Sequence, residues 1–120
     1  MPFSTWSKPG ELAYLLADSQ LAALIAVASF GGQDFAAALE QITQPRLVVL
    51  IGGNLRRGWI DYDAFRASAE PLPSLPAGEG ASAGDDALIL YTSGSSARPK
   101  AVRLQHFAVI ENGFNIGERM

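Results

Sequence analysis

The 120-residue chain is 48% hydrophobic and 18% charged, the composition of a globular domain rather than of a disordered segment, and its length fits one ordinary domain. Nine basic against twelve acidic residues leave a net charge of −3, which speaks against nucleic-acid or anionic-membrane binding through bulk electrostatics, so any anion site must be local. There is no cysteine, which excludes disulfides, thiolate zinc sites and cysteine nucleophiles, and a single histidine excludes a histidine-rich metal site within this chain.

The opening "MPFSTWSKPG" lacks the basic flank and apolar core of a signal peptide. The longest uninterrupted apolar run, Leu21 to Ala28, is far short of the roughly 20 residues that span a bilayer, so a cytoplasmic chain without a membrane span is expected. From Glu11 to Asp18, Leu12, Leu15 and Leu16 stand at i, i+3 and i+4, one apolar helix face, and Pro9 suits the first turn of that helix. The alanine-rich "LAALIAVASF" that follows, bounded by Ser19 and by Gly31–Gly32, reads as a buried strand.

Asp34 can cap a second helix in which Phe35, Ala38, Leu39 and Ile42 share a face, and Pro45 stops it. Leu47 to Ile51 is a short continuous apolar run of the kind covered on both faces in a parallel sheet, ended by Gly52 and Gly53. A weaker helix is expected over 61–68. Residues 69–84, "AEPLPSLPAGEGASAG", carry three prolines and three glycines and form an extended surface connection. Ala87 to Tyr91 is a further strand, residues 90–102 are a polar loop, and Phe107, Ile110 and Phe114 then recur at helical spacing. The order β-α-β-α-β-loop-α predicts an α/β fold with a largely parallel sheet flanked by helices.

The loop is where chemistry concentrates. Between Ala87 and Ile110 stand Arg98, Lys100 and Arg103 and no acidic residue, so the segment is positive in an acidic chain. Thr92, Ser93, Ser95 and Ser96 supply hydroxyls, and Gly94 allows a close backbone approach. Convergent donors beside a cation are what phosphate oxygens require. The alternative from composition alone is a solvated turn with its charges in water. A Walker-type loop fails at two positions although Gly94 and Lys100 have its spacing: Pro99 replaces the second glycine, and Ala101 replaces the magnesium-binding hydroxyl. No G-x-S-x-G elbow occurs, so the loop serines have no evident general base. Asp85 and Asp86, adjacent before a strand, point opposite ways and fit a solvated turn better than a paired-carboxylate site. Arg56 and Arg57 fit a solvated loop, and Trp6, Trp59 and Tyr62 fit packing.

"YTSGSSARPKAV" resembles the phosphate-loop signature Y-T-S-G-[ST]-T-G-x-P-K-G-V of the adenylate-forming superfamily of acyl-CoA synthetases, peptide-synthetase adenylation domains and luciferases. "PFSTWSKPGELAYLLADSQLAALIAV" and "FGGQDFAAAL" are similar to the segments that precede that loop, the latter in the acyl-CoA synthetase and fatty-acid-CoA ligase branch. "VRLQHFAVIENG" is similar to the helix entry that follows it. The resemblance covers nearly the whole of residues 1–120, as a partial AMP-binding domain from the N-terminal domain of an adenylate-forming enzyme.

The resemblance implies that Thr92, Ser93, Gly94, Ser95 and Ser96 close over the β- and γ-phosphates of ATP. It implies that Lys100, the residue with a catalytic role, neutralises and orients the pyrophosphate as a carboxylate attacks the α-phosphorus. It further implies ATP as cofactor, with Mg2+, coenzyme A and a carboxylic acid, fatty acids included, as partners of the parent enzyme. His106 aligns with the family's post-loop histidine, as a ligand contact or as a helix-start residue that hydrogen-bonds backbone. Family motifs for magnesium, adenine, ribose and the adenylation lysine come later in sequence and are not found here. A fragment inactive by itself is therefore expected, with apolar surface that favours self-association. Ala97 and Ala101 stand where the family pattern has glycine. If those glycines take positive φ, alanine strains the loop, and restoring them is expected to tighten ATP binding. The rival class is a non-catalytic α/β nucleotide-binding or interaction module with a degenerate loop. A P-loop phosphohydrolase is the weakest alternative.

Overall fold

Helix α1 (Pro9–Ser19) carries Pro9 in its first turn, where a missing N–H breaks no helical hydrogen bond. The Glu11 carboxylate accepts from the Lys8 N–H at 2.9 Å, and Gln20 ends the helix in the left-handed region at φ 48°. Leu12, Leu15 and Leu16 are all buried, as their spacing predicts. The computed structural model describes residues 1–70, 78, 80–92 and 98–119.

The apolar run that follows is not one buried strand. Strand β1 takes Ala23–Val27, the chain bends at Ala28, and β2 (Ser29–Phe30) turns back antiparallel on β3 (Gln33–Asp34). Gly31 and Gly32, at φ 57° and 82°, make the two-residue connection, because two successive positive φ angles match the twist of a tight hairpin. The Asp34 carboxylate then accepts from the Ala37 N–H at 2.9 Å and caps α2 (Phe35–Glu40), which buries Phe35, Ala36 and Leu39 and ends before reaching Ile42.

Strand β4 (Leu47–Ile51) pairs parallel with β1, Ala23 to Val27 lying opposite Leu47 to Ile51 in order. Strand β5 (Ile60–Asp61) joins the other side of β4, also parallel. The sheet order β1-β4-β5 places β4 in the centre, and its Val48, Val49 and Leu50 are buried on both faces, Leu50 completely. β1 is an edge strand, with Ile25 55% exposed. A continuous apolar run is common to edge and central strands, so the run alone did not separate them. Helix α3 (Tyr62–Ala67) begins with the Asp61 carboxylate accepting from the Ala64 N–H at 3.0 Å. The result is an α/β fold with a parallel sheet flanked by helices.

Two contacts tie the connection between β4 and β5 to α2. The buried Trp59 Nε1–H donates to Gln44 Oε1 at 2.7 Å, and Gln44 Nε2 donates to the Leu39 carbonyl at 2.9 Å. Arg56 pairs with Glu40 at 2.9 Å, which accounts for one of the two loop arginines. Trp6, by contrast, is 83% exposed, so packing does not account for it. At the end of β4, Gly52 and Gly53 take φ 71° and 70°. A Cβ on Gly53 would lie 2.5 Å from the Ala28 Cβ, and Ala28 is held by hydrogen bonds to Ile51 and Ala36.

These elements lie in one compact unit, Ser4–Leu72; Met1–Phe3 and Pro73–Met120 form a second. In the second unit, β6 (Asp86–Thr92) pairs antiparallel with β7 (Lys100–Gln105), and α4 (His106–Gly117) follows at once. This departs from the expected third parallel strand and from a loop running straight into a helix. The reason is legible afterwards: Val102 and Leu104 alternate with Ala101, Arg103 and Gln105, the period of a strand. Phe3 lies against Tyr91, with ring centroids 6.2 Å apart. The described residues of the connection 69–84, namely 69–70, 78 and 80–84, contain no helix or strand. No described residue of the second unit is buried.

Candidate functional site

Thr92 closes β6 and Lys100 opens β7, and the two are direct cross-strand partners. Such partners hold their Cβ atoms about 4.5–5.5 Å apart on one face of the ladder. By strand alternation that face also carries Leu88, Leu90, Val102 and Leu104. A hydroxyl and an ammonium group therefore stand together at the open end of an apolar strip, where the polar segment begins and returns. Ser93, Gly94, Ser95 and Ser96 lie outside the described residues, as does Ala97. Of the residues expected to hold phosphate, the hairpin register brings Thr92 and Lys100 together. Both ends of the stretch 90–102 are thus strand rather than loop.

Ala101 lies in extended backbone opposite Tyr91, and among the described residues Gln20 is the one non-glycine with positive φ. The strain expected of alanine at position 101 is absent, because a β-strand accepts any Cβ. Glycine there would loosen the strand instead of relieving it.

At the other end of the hairpin a polar network joins three elements. The Arg103 Nε–H donates to Asp86 Oδ2 at 2.6 Å, and Arg103 Nη2 bonds the same oxygen. The hydrogen bond to Asp86, and then its charge, hold the Arg103 pKa above the ordinary arginine value. Gln105 Nε2 donates to the Gly84 carbonyl at 2.8 Å. The turn before β6 closes on itself, Ser82 N–H to Asp85 Oδ2 at 2.7 Å and Asp85 N–H to the Ser82 carbonyl at 3.1 Å. Asp85 and Asp86 thus have separate partners and do not form a carboxylate pair.

The backbone N–H groups of His106 and Phe107 donate to the carbonyls of Asp85 and Ala83 at 3.1 and 3.0 Å. Two of the four donors that a helix start leaves unpaired are therefore taken by the turn and are not offered to an anion. His106 serves α4 through its backbone, as a helix-start residue. Sequence reasoning missed this network because it ran the loop to residue 102 and on into a helix; the alternation within β7 was the available signal. Among the described residues no three His, Asp or Glu side chains gather as a metal site. No helix among them is long and apolar enough to cross a membrane.

One unit is thus an α/β layer with a parallel sheet, and the other carries a hairpin with Thr92 and Lys100 paired at its polar end. Residues 1–120 match the family model described as AMP-binding enzyme, and the chain belongs to that family. Among solved structures it is similar to the anthranilate CoA ligase AuaEII in complex with anthranoyl-AMP, with 25% sequence identity and a TM-score of 0.65. That match covers 87% of this chain and 19% of the ligase chain, so the chain spans about a fifth of that protein's length. A search of curated proteins gives no match.

Proposed function

We propose that the chain supplies the ATP phosphate-binding hairpin of an acyl-CoA synthetase, acting in the cytoplasm on a carboxylic acid. The single observation that supports this reading is the register that sets Lys100 opposite Thr92 at the mouth of the motif "YTSGSSARPKAV". In the parent reaction a carboxylate oxygen attacks the α-phosphorus of ATP. The bond from that phosphorus to the bridging oxygen breaks, and pyrophosphate leaves with the electron pair. Coenzyme A thiolate then attacks the acyl carbon and expels AMP. The chain's own part is positional and electrostatic: the Lys100 ammonium offsets charge on the departing pyrophosphate, and Thr92 donates to a phosphate oxygen. Ser93, Ser95, Ser96 and the Gly94 backbone are proposed to complete that grip. Magnesium would arrive with the nucleotide, held chiefly by phosphate oxygens as this ion prefers.

The chain alone is expected to bind Mg-ATP without turnover in pyrophosphate exchange. Titration calorimetry checks this, with Lys100→Ala expected to weaken binding about 10- to 100-fold, the worth of a charge-assisted hydrogen bond of roughly 1.5–3 kcal/mol. Equal affinity in the intact chain and the variant would remove Lys100 from the site. A second reading, a non-catalytic interaction module that self-associates, is favoured by one specific feature. Phe107, Ile110 and Phe114, all along α4, are 49%, 70% and 64% exposed. Sedimentation that depends on concentration, together with no nucleotide binding, would select it.

A further inference from the structure

We propose that the ion pair of Asp86 with Arg103, together with the Gln105 bond to Gly84, is a register lock, and that Asp86 and Arg103 are positioning residues for Lys100. The proposal rests on the phosphate reading above for its functional half, and on the hairpin alone for its structural half. In β6, Leu88, Ile89, Leu90 and Tyr91 form an unbroken apolar run, so both faces of the strand are apolar. Register in a half-buried strand is normally fixed because a one-residue slip turns its apolar set toward water. That discrimination is missing here: a slip of β6 leaves apolar side chains on both faces. No described residue of β6 or β7 is fully buried, and Leu88 to Tyr91 are all half-buried alike, so packing discriminates only weakly between registers.

A slip of one residue would nevertheless ruin the mouth of the hairpin. Lys100 would face Tyr91 or residue 93, and relative to Thr92 it would emerge on the opposite face. Polar contacts local to the base favour the observed register. Arg103 reaches Asp86 with two N–H groups on one oxygen, and Gln105 reaches Gly84. Beside them the register shifts between Asp86 and Leu88, the mark of a bulge. Bulges pin the pairing of the strands that contain them. The pair is at the surface, with side-chain exposures of 72% for Arg103 and 31% for Asp86, so its influence is modest. A two-stranded hairpin is marginal, and there a modest bias decides between registers.

The cysteine-free sequence allows a direct test. In the full chain, Leu90→Cys with Val102→Cys reports the observed register, since cross-strand partners lie within disulfide reach, whereas Leu90→Cys with Ala101→Cys reports the slipped one. Asp86→Asn or Arg103→Gln is expected to lower the first cross-link about twofold to fivefold and to raise the second. The exchanged pair Asp86→Arg with Arg103→Asp is expected to restore the original yields, which also guards against a variant that merely fails to fold. Mg-ATP affinity, measured without the cysteines, should fall by a similar factor in the single variants. That fall should vanish in a Lys100→Ala background, because the pair acts through Lys100.

Cross-linking unaffected by either single variant overturns the lock, and so does loss of both cross-links without recovery in the exchanged pair. Cross-linking that depends on the pair in a chain that binds no Mg-ATP keeps the lock and removes the phosphate reading.

Discussion

The two compact units of this chain are held together by different physics. In Ser4–Leu72 the centre is β4, where Val48, Val49 and Leu50 are at most 3% exposed, backed by Leu12, Leu15, Leu16, Phe35 and Leu39. In the unit that carries the candidate site no described residue is buried, and β6, β7 and the start of α4 are joined by turn, ion-pair and backbone hydrogen bonds. Apolar burial supplies most of the favourable free energy of a domain, while single surface hydrogen bonds and ion pairs contribute about 1 kcal/mol or less each. The polar hairpin thus sits on the weakly held unit, the low-stability end of a fold from which mobile and ligand-binding segments are generally drawn.

The sharpest way to break this comparison is to make the same kind of cut in both units. Leu50→Ala removes a fully buried side chain from the central strand and is expected to destabilise the chain by about 2–5 kcal/mol. Ile110→Ala, at a position 70% exposed, is expected to stay within about 0.5 kcal/mol. Urea unfolding of both variants checks the contrast, and equal shifts would show that the two units do not differ as described.

A smaller effect separates two glycine–alanine exchanges. Gly53→Ala adds a methyl 2.5 Å from the Ala28 Cβ at φ 70°, combining overlap with left-handed strain, and is expected to lose about 1–3 kcal/mol. Ala101→Gly replaces a residue in extended backbone and is expected to lose about 0.5–1 kcal/mol, with no gain in Mg-ATP affinity. Thermal melts and nucleotide titration of the two variants read both outcomes. Tighter binding by Ala101→Gly would reinstate the strain that the extended backbone speaks against.

What could be read from sequence follows the same division. Wherever burial dictates the pattern, the sequence carried it: the leucine face of α1, the Asp34 cap of α2, the unbroken apolar run of β4 and its parallel pairing in an α/β fold were all legible. The errors arose where burial does not decide. β1 is as apolar as a central strand yet lies at an edge, and β5 is two residues long, too short for any period to register. β7 was hidden because its lysine, arginine and glutamine made it look like the continuation of a polar loop. In the candidate site, the identities of Thr92 and Lys100 were legible from the motif. Their pairing was not, because it depends on a strand register that β6, apolar on both faces, does not encode by itself.

The smallest expected effect concerns acid and the turn that leads into β6. Hydrogen bonding by the Ser82 backbone, then by its hydroxyl, with a lesser contribution from the charge of His106, holds the Asp85 carboxyl below the ordinary aspartate range. A carboxyl whose folded pKa is depressed stabilises the fold fully above its unfolded value of about 4, and that contribution is lost as pH falls through the lower folded value. Acid should therefore loosen the Ser82–Asp85 turn first. With it should go the two bonds by which Ala83 and Asp85 hold the start of α4. Amide exchange at Ser82, His106 and Phe107 should accelerate, beyond its intrinsic pH dependence, on going from pH 5 to below about pH 4. Asp85→Asn should abolish the part of that change due to this carboxylate. If the variant and the parent chain respond identically, the turn is held by its backbone bond alone, and the weakly held unit depends less on charge than its contacts suggest.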